Sequence, residues 1–223
     1  MTIASRATTR ALRLGAVALL LAAALPLSAC GFPFTPYAGG ATNLDPTVAP
    51  EPTDSTTDDP SSAGGTLYFD QPSLPAGAHP EWTDGLIGDA RWAVAKPDDG
   101  NGRWSYATVD GLCTVEFWQG SSSSTGAKDD RDASDLMLAA LTQATIADVT
   151  AAASDLTLKN ATSGGYDIDS RAVQGNNDEA TWVIQARVFE PAGAGLYFIL
   201  DCTDGSAATV ADEIVEKDPI LIR

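Results

Sequence analysis

The side chains that could support acid–base or nucleophilic chemistry here are one histidine and many carboxylates. His79 is the only histidine, it lies in a Pro- and Gly-rich stretch, and no Gly-x-Ser-x-Gly motif occurs, so a Ser-His-Asp triad has no support and His79 is expected to be an ordinary loop residue. A zinc site built on several imidazoles is excluded by the same count. Any two of the 30 acidic residues could form a hydrolase pair if the fold brought them together. We expect no catalytic residue and no cofactor, with a carboxylate hydrolase as the alternative.

Two acidic loops offer oxygen ligands of the kind that calcium prefers. They cover residues 98–101 (Asp-Asp-Gly-Asn) and 176–179 (Asn-Asn-Asp-Glu), and neither has the ligand spacing or the distal Glu of an EF-hand. Both compositions are also typical of hairpin turns. We therefore predict turns at both places and no metal site.

The aromatic residues are concentrated in one part of the chain, because four of the five tryptophans lie between residues 82 and 118. Packing in the core is one interpretation. The other concerns Trp104 and Tyr106, which share one face of a predicted strand beside a polar loop and could stack on a sugar ring or on a partner's side chain. These two residues are the candidate binding residues.

The first 29 residues have the layout of an export signal. Three arginines precede an apolar run at 14–25, and none of the 29 residues is acidic. The run is shorter than the roughly 20 residues that span a bilayer. Leu27-Ser28-Ala29-Cys30-Gly31 follows and resembles the lipobox of bacterial lipoproteins. The resemblance implies a diacylglyceryl group on the Cys30 thiol and cleavage just before Cys30. An ordinary secretory signal with an incidental cysteine is the alternative.

Two cysteines remain once Cys30 carries lipid. In an exported chain, an even number of remaining cysteines predicts a disulfide, here between Cys113 and Cys202. Two separate buried thiols are the alternative. Such a bridge closes a loop of about ninety residues, and the chain-entropy treatment gives roughly 4 kcal/mol of stabilisation.

The charge of the chain limits its partners. The formal net charge is −17, and it becomes −20 without the first 29 residues, which hold three arginines and no acidic residue. A surface this acidic repels nucleic acid phosphates and anionic lipid head groups. We therefore expect no nucleic acid partner and a membrane attachment that depends on the covalent lipid at Cys30.

The mature chain divides into a tether and one domain. Residues 30–65 are rich in Thr, Pro, Asp and Ser, which predicts a disordered tether with a reach of roughly 30–35 Å. Residues 66–223 are long enough for a single globular domain. Within it, the Pro- and Gly-rich part up to about Gly88 is predicted to be irregular.

Beyond Gly88, apolar alternation and turn residues predict a series of strands joined by short links, which require antiparallel neighbours. The predicted strands cover about 91–95, 104–109, 112–118, 156–159, 166–173, 181–190 and 196–203. In this pattern Cys113 and Cys202 both fall on faces assigned to the core.

Two helices complete the pattern. One begins near Asp129 with acidic residues ahead of an apolar stripe, and Asp132 is predicted to cap it; the other covers about 206–215. These elements predict an α+β domain with a twisted antiparallel sheet packed by two or more helices. The element order is similar to the PsbP-like sandwich of actinobacterial lipoproteins of the LpqN type, over about 130 residues. That resemblance implies a sheet between helices and assigns no functional residue.

The sequence therefore predicts a lipid-anchored protein on the outer face of the cell membrane. Its domain is expected to be a non-enzymatic module that binds an envelope protein or a cell-wall glycan. A carboxylate hydrolase and a small solute-binding lipoprotein are the alternatives.

Overall fold

A computed structural model describes residues 34–35, 66–71, 73–122, 126–162, 165–177 and 179–223. The predicted signal peptide, Cys30 and nearly all of the predicted tether lie outside the described residues. Of residues 30–65, the backbone of Phe34 and Thr35 is described, and it forms a short strand. The prediction of a disordered tether over residues 30–65 otherwise concerns residues outside the described ones.

The described residues form eleven strands and three helices. The strands are β1 Phe34–Thr35, β2 Thr66–Leu67, β3 Pro80–Trp82, β4 Trp92–Lys96, β5 Arg103–Thr108, β6 Cys113–Ser121, β7 Ser154–Leu158, β8 Asp167–Asn176, β9 Thr181–Phe189, β10 Ala194–Cys202 and β11 Ile220–Ile222. The helices are α1 Asp130–Thr142, α2 Ile146–Ala152 and α3 Ala207–Lys217.

Seven strands form the body of the main sheet in the order β1-β8-β9-β10-β6-β5-β4, and β2 and β7 also pair with β8. Short turns connect β4 to β5, β5 to β6, β8 to β9 and β9 to β10, so these neighbours are antiparallel, as the sequence predicts. The long β10–β6 pairing joins the two groups of hairpins. The predicted α+β class with a sheet packed by helices is confirmed.

One face of the sheet, which we call the α3 face, carries the larger core. Alternate residues of β5, β6 and β10 point to it, and α3 and the small β3–β11 sheet pack against it. The aromatic rings of Trp82, Phe117 and Phe198 meet here, with centroid separations of 5.3 to 6.2 Å. These rings are buried, so this face is the main source of hydrophobic stabilisation.

Among the described residues, helices cover only part of the opposite face of the sheet, which we call the α1 face. α1 packs on β8 and β9, where Leu138 and Val149 join the apolar side chains of Val173 and Ile184. Asp129 caps α1 by accepting a hydrogen bond of 2.8 Å from the backbone N–H of Asp132. The helix is therefore confirmed, but the predicted cap at Asp132 is wrong.

Five described elements, β1, β2, β3, α2 and β11, have no counterpart in the sequence prediction. α2 follows α1 after three residues and is capped by Thr145. β3 and β11 pair with each other, with Trp82 opposite Ile220. The stretch before Gly88 is therefore not wholly irregular, because β3 receives a partner from the far end of the chain.

The two cysteines of the domain form a disulfide, the pair that the sequence predicts. Cys113 opens β6 and Cys202 closes β10, and the two residues lie directly opposite each other in the β10–β6 register, with a Cα–Cα distance of 4.2 Å. Both are buried on the α3 face. The bridge therefore fastens the strand pair that joins the two hairpin groups.

Candidate functional site

The two residues predicted to bind a ligand are part of the core. Trp104 is 9% exposed and stacks on Phe117 with centroids 5.7 Å apart, while Tyr106 is 2% exposed and contacts the same ring edge-on. The hypothesis that they present an aromatic surface is therefore wrong. Alternation in β5 correctly places both on one face, but that face is the one covered by α3 and β3.

The accessible aromatic surface lies on the opposite side of the same strands. Trp118 on β6 is opposite Tyr197 on β10, and their rings stack with centroids 5.3 Å apart and an interplanar angle of 20°. Gly120 leaves room for the indole, since a Cβ there would approach Trp118 Cζ2 to 3.0 Å. Tyr197 is buried and Trp118 is partly exposed, so the outer ring of the stack faces solvent.

Two charged side chains border this stack. Arg103, opposite Trp118 in the β5–β6 register, donates a 2.8 Å hydrogen bond from Nη2 to the Tyr197 hydroxyl. Its Nε lies 3.3 Å from Glu116 Oε1. Half of the Arg103 side chain remains exposed. We call these four residues, Arg103, Glu116, Trp118 and Tyr197, the Trp118 platform.

A groove of about 190 Å³ continues the platform toward the C-terminal end of α1. Its walls are mainly apolar side chains of α1, β9 and β10, with Asn177 and Asp201 at its polar end. Burial raises the pKa of the Asp201 carboxyl. Tyr197, Ile199 and Asp201 alternate along β10, so the platform and the groove form one continuous strip on the α1 face.

A second, larger concavity lies at the opposite end of the sheet, where β8 and β9 separate. Their pairing ends at Arg171 and Ala186, and β2 pairs with β8 beyond that point. The resulting cleft has a volume of about 650 Å³. Its lining residues are Tyr68, Phe69, Asp70, Gln71, Asp129, Arg131, Asp155 and Asp169.

Buried arginines form ion pairs close to this cleft. Arg187, 1% exposed, donates to Asp130 at 2.8 Å and lies with its Cζ 4.2 Å from the Phe69 ring centroid. Burial lowers the pKa of Arg187 to about 10, against the attraction of Asp130, so it stays protonated at neutral pH. Arg171 is also buried, and its Nε donates to Asp135 Oδ1 at 2.6 Å. These pairs join α1 to the sheet.

Two carboxyls of the cleft are shifted in opposite directions. Burial acts to raise the pKa of Asp155, but hydrogen bonds from Arg131 and Arg171 outweigh it and lower the value. Burial raises the pKa of Asp169, and the negative charge of Asp155 adds to the effect. Such a split is typical of acid–base pairs in carboxylate hydrolases. However, guanidinium groups occupy both oxygens of Asp155, which leaves it poorly placed to attack a substrate.

The acidic loops considered for calcium use their oxygens to build turns. Asp99 Oδ1 accepts a 2.7 Å hydrogen bond from Asn101 N–H, and Asn177 Oδ1 accepts from Glu179 and Ala180. Among the described residues, the group of three potential metal ligands consists of Cys113, Cys202 and Asp204. Its two sulfur atoms are bonded to each other, so it has no thiolate to offer a metal.

His79 lies in an exposed loop, as the sequence predicts. Its backbone N–H donates to the Arg223 carbonyl at 2.8 Å, and its own carbonyl accepts from the Arg223 N–H at 3.1 Å. These bonds extend the β3–β11 pairing by one residue. His79 therefore contributes backbone structure at the end of the small sheet.

None of the helices among the described residues combines the length and apolar character needed to cross a bilayer. No protein-family profile matches the chain, and no curated protein matches it. Among solved structures, it is similar to a crystal structure of a protein from Bacteroides thetaiotaomicron VPI-5482, at 12% identity and a TM-score of 0.36. The alignment covers 60% of this chain and 42% of that protein, so the chain spans less than half of the neighbour's length.

Proposed function

We propose that this protein is a lipid-anchored, non-enzymatic binding module of the cell envelope, held on the outer face of the membrane through Cys30. The export signal and the lipobox-like sequence at 27–31 support this placement. The Cys113–Cys202 disulfide agrees with it, because disulfides persist outside the reducing cytoplasm. The acidic domain would then depend on its covalent lipid to stay at an anionic membrane surface.

The Trp118 platform is the single observation that carries the binding role. It combines a partly exposed indole, a charged pair and an adjoining apolar groove on a sheet face that α1 and α2 cover incompletely. Aromatic faces with flanking hydrogen-bonding groups are suited to sugar rings and to the side chains of protein partners. The proposed ligands are accordingly a cell-wall glycan or an envelope protein.

Replacing Trp118 tests this binding role. We expect Trp118→Ala to weaken the binding of cell-wall glycan fragments, or of a partner captured from membranes, by at least tenfold, because the outer ring of the stack is removed. Calorimetry with the purified mature chain measures the effect. Tyr68→Ala is the matched control, since it removes an aromatic residue of 49% exposure from the other end of the sheet. Equal affinities for wild type and Trp118→Ala would reject the platform.

The cleft with its oppositely shifted carboxyls favours one second candidate, an extracytoplasmic carboxylate hydrolase. In that case Asp169 would be the general acid, since its pKa is raised, and Asp155 the ionised partner. Asp169→Asn separates the two proposals. A hydrolase would lose its turnover of cell-wall glycans in this variant, whereas a binding module would show no turnover in either form and would keep its affinity.

A further inference from the structure

The C-terminal end of α3 meets the loop after β3 in a tightly closed joint. Thr83 N–H donates to the Pro219 carbonyl at 2.9 Å. A Cβ at Gly85 would overlap the Lys217 carbonyl, so the two backbones touch at that point. No residue larger than glycine therefore fits at position 85 while the joint stays closed.

Asp218 lies at the centre of this joint with no exposed surface. Its Oδ1 accepts hydrogen bonds from the Thr83 hydroxyl at 2.9 Å and from Gly85 N–H at 3.1 Å. Its Oδ2 is buried and has no hydrogen-bond partner among the described residues. An ionised carboxylate in this position would leave its second oxygen buried without a hydrogen bond, which destabilises the closed joint.

The charged groups around the joint do not neutralise such a charge. Asp84, on the same loop, is also acidic, and Tyr106 approaches from β5. The neighbouring cations are engaged elsewhere, Lys217 by Asp89 and Glu213 and Arg223 by Glu81. Burial accordingly raises the pKa of Asp218 to about 7, and Asp84 adds to the effect while the bonds from Gly85 and Thr83 oppose it.

We propose that Asp218 is a proton-controlled latch that keeps the end of α3 and β11 closed on the Thr83–Gly85 loop when its carboxyl is protonated and loosens this joint when the carboxyl ionises. Trp82, next to the joint, contacts the backbone of β6, the strand that carries Trp118. Trp82, at the end of β3, donates from Nε1 to the Trp118 carbonyl at 3.1 Å. A loosened joint would therefore release a support of the strand that carries the platform.

The sign of the pH effect follows from the direction of the shift. The folded protein holds the Asp218 proton more tightly than the unfolded chain, so the stability due to this group is complete below the ordinary pKa of 3.8 and is lost as pH rises to about 7. Between these limits the ionisation of Asp218, taken alone, raises the unfolding constant by up to tenfold per pH unit.

Comparison of wild type with Asp218→Asn tests the latch, because asparagine imitates the protonated carboxyl. In the mature chain, amide hydrogen exchange of residues 79–86 and 217–223, corrected for intrinsic rates, should accelerate between pH 5 and pH 8 in wild type and not in the variant. Asp201→Asn removes another carboxyl whose pKa is raised by desolvation, at a site remote from the joint, and should behave like wild type. Identical pH profiles for wild type and Asp218→Asn would overturn the proposal.

A direct titration keeps the proposal testable if the variant does not fold. The carbon-13 chemical shift of the Asp218 carboxyl in wild type should titrate with a midpoint near 7. A midpoint near 4 would overturn the latch, because the carboxyl would then be ionised throughout the neutral range.

Discussion

At the scale of single residues, buried ion pairs decide how α1 sits on the sheet. The guanidinium of Arg171 and the carboxylate of Asp135 are both nearly inaccessible, at 5% and 3% side-chain exposure. A second buried pair joins Arg187 to Asp130 at the first turn of the helix. Each charge depends on its partner, because neither can be solvated without moving the helix.

Removing one member of such a pair should strongly destabilise the folded protein. We expect Asp135→Ala to lower the free energy of unfolding by about 3–5 kcal/mol, because Arg171 keeps a buried charge with only Asp155 left to pair with it. Urea unfolding measures the loss. Asp132→Ala, on the same helix and less buried, should have a much smaller effect. Similar losses in both variants would show that the ion pair is not responsible.

The positions of single residues also explain why alternation along the sequence predicts the wrong binding residues. Alternation assigns Trp104 and Tyr106 to one face of β5, and that assignment is correct. Which face is covered depends on α3 and on β3, elements far away along the chain, and local alternation contains no information about them. Trp118 lies in a predicted strand whose apolar face consists of Cys113, Val115 and Phe117, so alternation predicts that Trp118 points to the other face. Its stacking on Tyr197 depends on the β10–β6 register, which the sequence does not contain.

At the scale of elements, the fold depends on the pairing between β10 and β6, which joins two hairpin groups. The disulfide links the ends of these strands, at Cys113 and Cys202. A bond between residues 89 positions apart restricts the unfolded chain, which adds to the stability of the folded state.

Loss of this bond should therefore lower stability. We expect the double variant Cys113→Ala/Cys202→Ala to have a lower urea midpoint and an unchanged denaturant slope. The free energy of unfolding should fall by up to about 4 kcal/mol. Wild type with a reducing agent should approach the variant. Free thiols in the oxidised protein, together with an unchanged midpoint, would contradict the bridge.

Strongly periodic or alternating segments were predictable from sequence, and elements defined by distant partners were not. The strands of the four hairpins, α1 and α3 all have their own apolar pattern, and the structure places each within a few residues of its prediction. β3 is three residues long and exists because β11 pairs with it from the other end of the domain. α2 has a short, weakly apolar sequence and depends on its cap and on packing against α1.

At the scale of the whole molecule, the acidity of the chain determines how the proposed membrane attachment must work. The full chain has a formal net charge of −17, which favours solubility and repels the chain from anionic lipid, so the proposed anchor has to act through covalent chemistry at one residue. Two acyl chains provide stable attachment, while a single chain would give only reversible binding.

The most direct measurement is the mass of the amino-terminal peptide of the protein purified from its native membrane. We predict that this peptide begins at Cys30 and carries a diacylglyceryl group on the thiol, and that Cys30→Ala moves the protein into the aqueous phase of a detergent partition. An unmodified peptide that retains residues 1–29, or a Cys30→Ala variant that still partitions into detergent, would contradict the lipid anchor.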